Sequence, residues 1–224
     1  MKRLVPGFVL CCVLASPAAL AQEEGVSYGR GQGWSVLAGD TVGAGSNVFV
    51  GQLGWPGLSL GLLHGATNKL DIGGKFTFNY GQEGLVEVVE PGIKFQAWVR
   101  LMLAQTSQAS VAVTFQPGPL FYFHEGSTDV GLALPVAVVV GIPVGSALML
   151  NAGVDVPFHV YFGTGGGPVF PLLVGGGLEY FVDRGLSVNF NVRMGPSIFP
   201  DSDRRGRSDA RFTLEALFGI GWKL

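Results

Sequence analysis

The sequence predicts an all-β chain, a transmembrane antiparallel up-and-down β-barrel of about 10 strands (about 8–12). Three observations carry that reading: apolar and polar residues alternate over most of the 224 residues, charged residues make up only 13%, and glycine occurs 36 times. The alternation is the period-2 signature of a strand with one apolar and one polar face. A water-facing surface normally takes about 25% charged residues, so the apolar face has lipid as its solvent. The glycine share is roughly twice the usual figure of about 7%. It argues against long helices, because each interior glycine costs a helix about 1 kcal/mol relative to alanine.

The first residues bear on compartment. Lys2 and Arg3, the apolar run Leu4 to Leu14 and the Ala19-Leu20-Ala21 triplet have the form of a signal peptide over 1–21, cleaved near Ala21. Cys11 and Cys12 leave with it, which predicts a mature chain without thiol, disulfide or Cys-ligated metal. Residues 22–45 read as a partly extended N-terminal segment and 46–224 as the barrel. Without Lys2 and Arg3, the 14 Lys+Arg fall to 12 against 16 Asp+Glu, a formal charge of −4. That excludes a nucleic-acid footprint, which requires a basic patch.

Each strand follows from its own stretch. "WSVLAG" at 34–39 and "SNVFVGQLG" at 46–54 both qualify, as one bent strand or two, and 57–65 follows them. Past Lys69, Leu70, Ile72, Phe76, Phe78 and Tyr80 oppose Asp71, Gly73, Lys75, Thr77 and Asn79. Ile93 to Leu103 and Val111 to Phe115 repeat the pattern across the Gln105–Gln108 turn. Val130 to Leu150 carries no charge and is long enough for a spanning helix, but Pro135, Pro143 and three glycines interrupt it. It reads as two strands around Ile142-Pro143-Val144-Gly145. Leu172 to Val182, Leu186 to Met194 and Phe212 to Leu224 complete the set, with the charges of each run on its polar parity. Short turns near 65–69, 104–108, 142–146 and 183–185 alternate with longer connections near 81–91, 122–129, 162–167 and 196–209. A barrel with short periplasmic turns and longer external loops shows that alternation.

The signal peptide, the dyad strands, the Thr67-Asn68-Lys69 and Asp183-Arg184-Gly185 turns and the final strand "RFTLEALFGIGWKL" resemble the small bacterial outer-membrane β-barrel proteins. The resemblance implies location in the bacterial outer membrane and contact with its lipids and lipopolysaccharide. It also implies delivery by the barrel-assembly machinery, with Trp222 at the parity of the terminal aromatic residue that machinery reads, and a monomer.

On this reading the polar parity lines a lumen containing Lys75, Lys94, Trp98, Arg100, Asp155, His159, Glu179, Arg193 and Glu215. An eight-strand barrel is filled by its side chains and open channels need about sixteen strands, so the lumen is expected to be mostly plugged. Its mixed charges suit a salt-bridge network or a selectivity lining. The expectation is a structural or narrow small-solute or lipid transport role with no catalytic residue, cofactor or metal.

The rival readings are a lipid-acting rim enzyme of the lipid A deacylase or acyltransferase type, using His124 and Ser127, and a secreted lipocalin-like binding barrel. "GTGGGP" at 163–168 lacks the lysine and helix of a phosphate loop. Arg204, Arg205, Arg207 and Arg211 offer an external loop to lipopolysaccharide. Finally, Pro117, Pro119, Pro135, Pro157, Pro168 and Pro171 cluster in the outer halves of four consecutive strands. Pro135 and Pro157 mark a candidate lateral gate, since proline gives nothing to the ladder.

Overall fold

The computed structural model describes residues 32–83, 89–162, 167–200 and 209–224. The signal segment and Arg204, Arg205 and Arg207 lie outside them. Among the described residues there are fourteen strand segments: β1 (Asn47–Trp55), β2 (Gly57–Gly65), β3 (Leu70–Asn79), β4 (Gly92–Gln105), β5 (Ser110–Phe115), β6 (Gly118–His124), β7 (Ser127–Ala133), β8 (Val136–Val144), β9 (Leu148–Val156), β10 (His159–Phe162), β11 (Pro168–Pro171), β12 (Leu173–Phe181), β13 (Leu186–Phe199) and β14 (Asp209–Lys223). They make ten staves. β5 continues into β6, β7 into β8, β9 into β10 and β11 into β12, each pair sharing the same neighbouring staves. Every pairing is antiparallel, and β14 closes the ring on β1 from Val48↔Lys223 to Trp55↔Ala216.

The period-2 pattern sorts the side chains as the sequence predicts. Phe95 (51% exposed), Val174 (54%) and Phe218 (64%) belong to an apolar belt on the outside, while Asp71 and Glu179 are fully buried on the inside. A continuous apolar belt around a closed sheet is stable only against hydrocarbon, and closure leaves no backbone edge for lipid to meet.

Three expectations change. The stretch 34–39 is not a strand: its backbone bends, and Trp34, Val36 and Ala38 are buried against the inward faces of Val48, Val50, Leu63 and Phe181. β1 is therefore the tenth stave. The connection expected over 122–129 is only Glu125-Gly126, and β13 runs on to Phe199. Sorting of connections by length is partial, because the β1–β2 link is Pro56 alone at the same end as the long 80–91 connection. The end that carries the 66–69, 106–109, 145–147 and 182–185 turns is called the inner end below.

Candidate functional site

All nine lumen residues named from sequence lie on the inward parity of their staves, and they divide into two groups. Arg100 and Glu179 sit at the inner end, where the lumen is filled by residues 32–46 of the chain itself. An aperiodic segment inside a barrel must find partners for its backbone N–H and C=O groups. Glu179 accepts from the Ser35 hydroxyl (2.5 Å), from the Val36 N–H (3.2 and 3.3 Å) and from Ser187 (2.7 Å). Asp71 accepts from the Val42 N–H at 3.1 and 3.2 Å. Arg100 is opposite Asp71 in register and donates to it at 2.6 and 2.8 Å, and also donates to the Ala38 carbonyl at 3.5 Å. Asp40 accepts from Gln105 and Ser110, both at 2.8 Å, and Lys223 donates to the Val42 carbonyl at 3.1 Å.

Close approach explains part of the glycine excess. A Cβ on inward Gly141 would lie 2.5 Å from Ala38 Cβ, and one on Gly221 would lie 2.9 Å from Val36. The wall is cut away where the stopper touches it.

The second group, Lys75, Lys94, Asp155, His159, Arg193 and Glu215, lines the outer half, and Trp98 lies between the two groups. Trp98 packs over Gly61, and the Lys75 ammonium sits 5.7 Å from its ring. Arg193 pairs with Asp155. Lys94 pairs with Glu83, which folds in from the end of β3. The Tyr122 hydroxyl accepts from the Asn79 amide (2.7 Å) and the Glu83 N–H (3.2 Å), and Gln82 donates to Tyr161 at 3.5 Å. These contacts cap a small chamber bounded by Lys75, Thr77, Lys94, Glu215 and Leu217. Several buried polar atoms of this half have no protein partner, among them Thr77 Oγ1, Gln96 Oε1, Asp155 Oδ1 and Ser197 Oγ.

Sequence reasoning missed the stopper and with it the roles of Ser35, Asp40 and Asp71. The one available signal was Asp71 and Arg100 on the polar parity of neighbouring strands. His124 and Ser127 do not meet as base and nucleophile. They are opposed at the base of a two-residue turn, and the His124 ring nitrogens lie 3.0 Å from Glu90 and 3.0 Å from Asp129.

No protein-family model matches the sequence, and no curated protein matches it significantly. Two solved structures are similar to it at a low level. The outer-membrane expressed OmpT of Vibrio cholerae superposes with a TM-score of 0.39 and 14% identity, over 79% of this chain and 61% of that one, so this chain spans less than two-thirds of its length. The outer membrane protease OmpT from Escherichia coli gives a TM-score of 0.41 and 6% identity, over 80% and 93%. One expectation is corrected: a protease is among these structures, and the inference of a non-catalytic chain is withdrawn. The closed ten-stave sheet and its apolar belt make this chain a small β-barrel of the outer-membrane type.

Proposed function

We propose that the chain, once cleaved near Ala21, sits as a monomer in the bacterial outer membrane as a narrow passage for small polar solutes, held shut by its own N-terminal segment. The observation that carries this reading is the outer chamber. It has charges of both signs and an unpaired Thr77 Oγ1 in its wall, and further unpaired buried atoms, Gln96 Oε1 and Asp155 Oδ1, lie in the same half of the lumen. An unmatched buried polar atom costs about 1–3 kcal/mol, so such a chamber suits water and polar solutes better than dry packing. The stopper is anchored by polar contacts, which water can replace, alongside its apolar packing.

Conductance in planar bilayers tests the reading. The parent is expected to be closed with rare openings, and Arg100→Ala, which removes one anchor, to open steadily to small ions while excluding larger solutes. If the stopper of Arg100→Ala is shown by proteolysis to be released and the bilayer still stays silent, the passage is refuted. An unheated sample should also run ahead of a boiled one on a denaturing gel, because a closed ladder resists detergent.

A further inference from the structure

The prolines of the outer half are aligned across strands. Ala133↔His159 and Val136↔Val156 place Pro135 opposite Pro157. Asp155↔Leu173 and His159↔Val169 place Pro157 opposite Pro171. On one side the row continues to Gln116-Pro117, opposite Pro135, and on the other to Ser197, which pairs Pro171 and follows Pro196. Four consecutive staves are interrupted along this line, whereas β1 to β4, β13 and β14 run through it unbroken.

The row is not equally open everywhere. The Gln116 N–H reaches the Pro135 carbonyl at 3.0 Å and the Leu134 N–H reaches the Phe158 carbonyl at 2.8 Å, so both sides of Pro135 are bridged. Between Pro157 and Pro171 the situation differs. No ladder pairing joins 156–158 to 170–172. The Phe158 N–H turns back to Val156 of its own stave at 2.7 Å, and the Leu172 N–H points away to Pro196 at 2.8 Å. Parting two strands in a bilayer normally strands N–H groups at a cost of several kcal/mol each. Here the two facing residues have no N–H to strand.

What flanks the gap indicates what passes. On the lipid side the Phe158 and Phe170 rings cover it, 4.5 Å apart. On the lumen side, Asp155 with its partner Arg193 stands two residues from Pro157, and inward Gly153 and Ala137 contribute little bulk. A ligand arriving through this wall comes from hydrocarbon as a neutral molecule and meets the Arg193–Asp155 ion pair, whose Asp155 Oδ1 has no partner. We infer that the interval between Pro157 and Pro171 is a lateral port for a single-chain fatty acid entering as the neutral acid. Its O–H donates to Asp155 Oδ1, its carbonyl accepts from Arg193, and its chain passes under Phe158 and Phe170 into the bilayer. The lateral gate read from sequence between Pro135 and Pro157 thus moves one stave along. The inference does not rest on axial conductance, since a barrel that passes no ions can still admit a fatty acid through its wall.

The test uses the full chain in phosphatidylcholine vesicles containing a diazirine-bearing palmitic acid, with labelled residues mapped by mass spectrometry. The parent is expected to be labelled on inward Gly153 or Leu173 as well as on the belt. The double variant Pro157→Cys/Pro171→Cys, which regains two N–H donors, is expected to carry less inward label than the parent when reduced and about tenfold less again when oxidised, which is about 1.4 kcal/mol. If the double variant does not assemble, Pro171→Ala, which restores an N–H donor at the gap, is expected to lower the inward label, and Arg193→Gln to lower it further. Label confined to outward residues all round the belt, or inward label indifferent to both the lock and Arg193, overturns the port.

Discussion

The inner and outer halves of the lumen are built from the same alternating strands and do opposite things with their polar residues. In the inner half, the charged groups Asp71, Arg100, Glu179 and Asp40 each hold partners on the stopper or on facing staves, the unpaired amides there being those of Asn151 and Asn189, and the staves around them are continuous. In the outer half, Asp155 Oδ1, Thr77 Oγ1 and Ser197 Oγ lack partners, and four staves are interrupted. A satisfied buried network specifies one arrangement, while a partly satisfied one in a low dielectric leaves energy to be gained by rearrangement or by a ligand. The difference assigns rigidity to the inner end and adaptability to the outer.

The largest expected effect tests that assignment. Arg100→Ala leaves Asp71 buried without its cation and is expected to cost about 3–5 kcal/mol. Arg193→Ala, beside the chamber, should cost clearly less, both read from urea unfolding in vesicles. Equal losses would erase the distinction between the halves.

Next comes the assignment of inside and outside on which it depends. Phe190→Arg on the belt should cost up to about 2–4 kcal/mol and Val188→Arg, nearer the 182–185 turn, less, whereas Asn189→Arg, facing inward, should assemble better than either. Similar assembly yields for all three would reverse the faces.

A smaller effect sharpens the fit of the stopper. Gly141→Val and Gly221→Val drive a side chain into Ala38 and Val36, and overpacking of this kind costs about 1–3 kcal/mol. They should expose a Ser35→Cys thiol to a water-soluble maleimide, while Gly74→Ala, whose Cβ meets nothing closer than Gln96 O at 3.9 Å, should not.

The smallest lies at the outer cap. Tyr122→Phe removes the acceptor of the Asn79 amide and the Glu83 N–H, worth about 1 kcal/mol. Amide exchange at Glu83 should quicken about fivefold with Val36 and Val42 unchanged; faster exchange at all three would join the halves into one cooperative unit.

The sequence by itself determined most of the strands, their inward and outward faces, the lipid-facing belt and a count of about ten staves. Period-2 alternation is a local property, so Phe76-Thr77-Phe78-Asn79 declares its faces without reference to any neighbour. Local reading failed at 34–39, because a short apolar run has the same composition whether it joins a sheet or fills one. Only tertiary structure put Trp34, Val36 and Ala38 inside the ring, since the decision belongs to Glu179, Asp71 and Arg100, which are far away in the chain and supply the backbone's partners. The approach of Pro135 to Pro157 is legible from the hairpin around Pro143, but the extension of the row to Pro171 needed the register of staves that are not joined by that turn. His124 and Ser127 looked like one loop until pairing carried both strands past the expected boundary and turned the imidazole toward Glu90 and Asp129. Alternation is written residue by residue; which polar group satisfies which is decided only when the ring closes and brings distant staves to a common lumen.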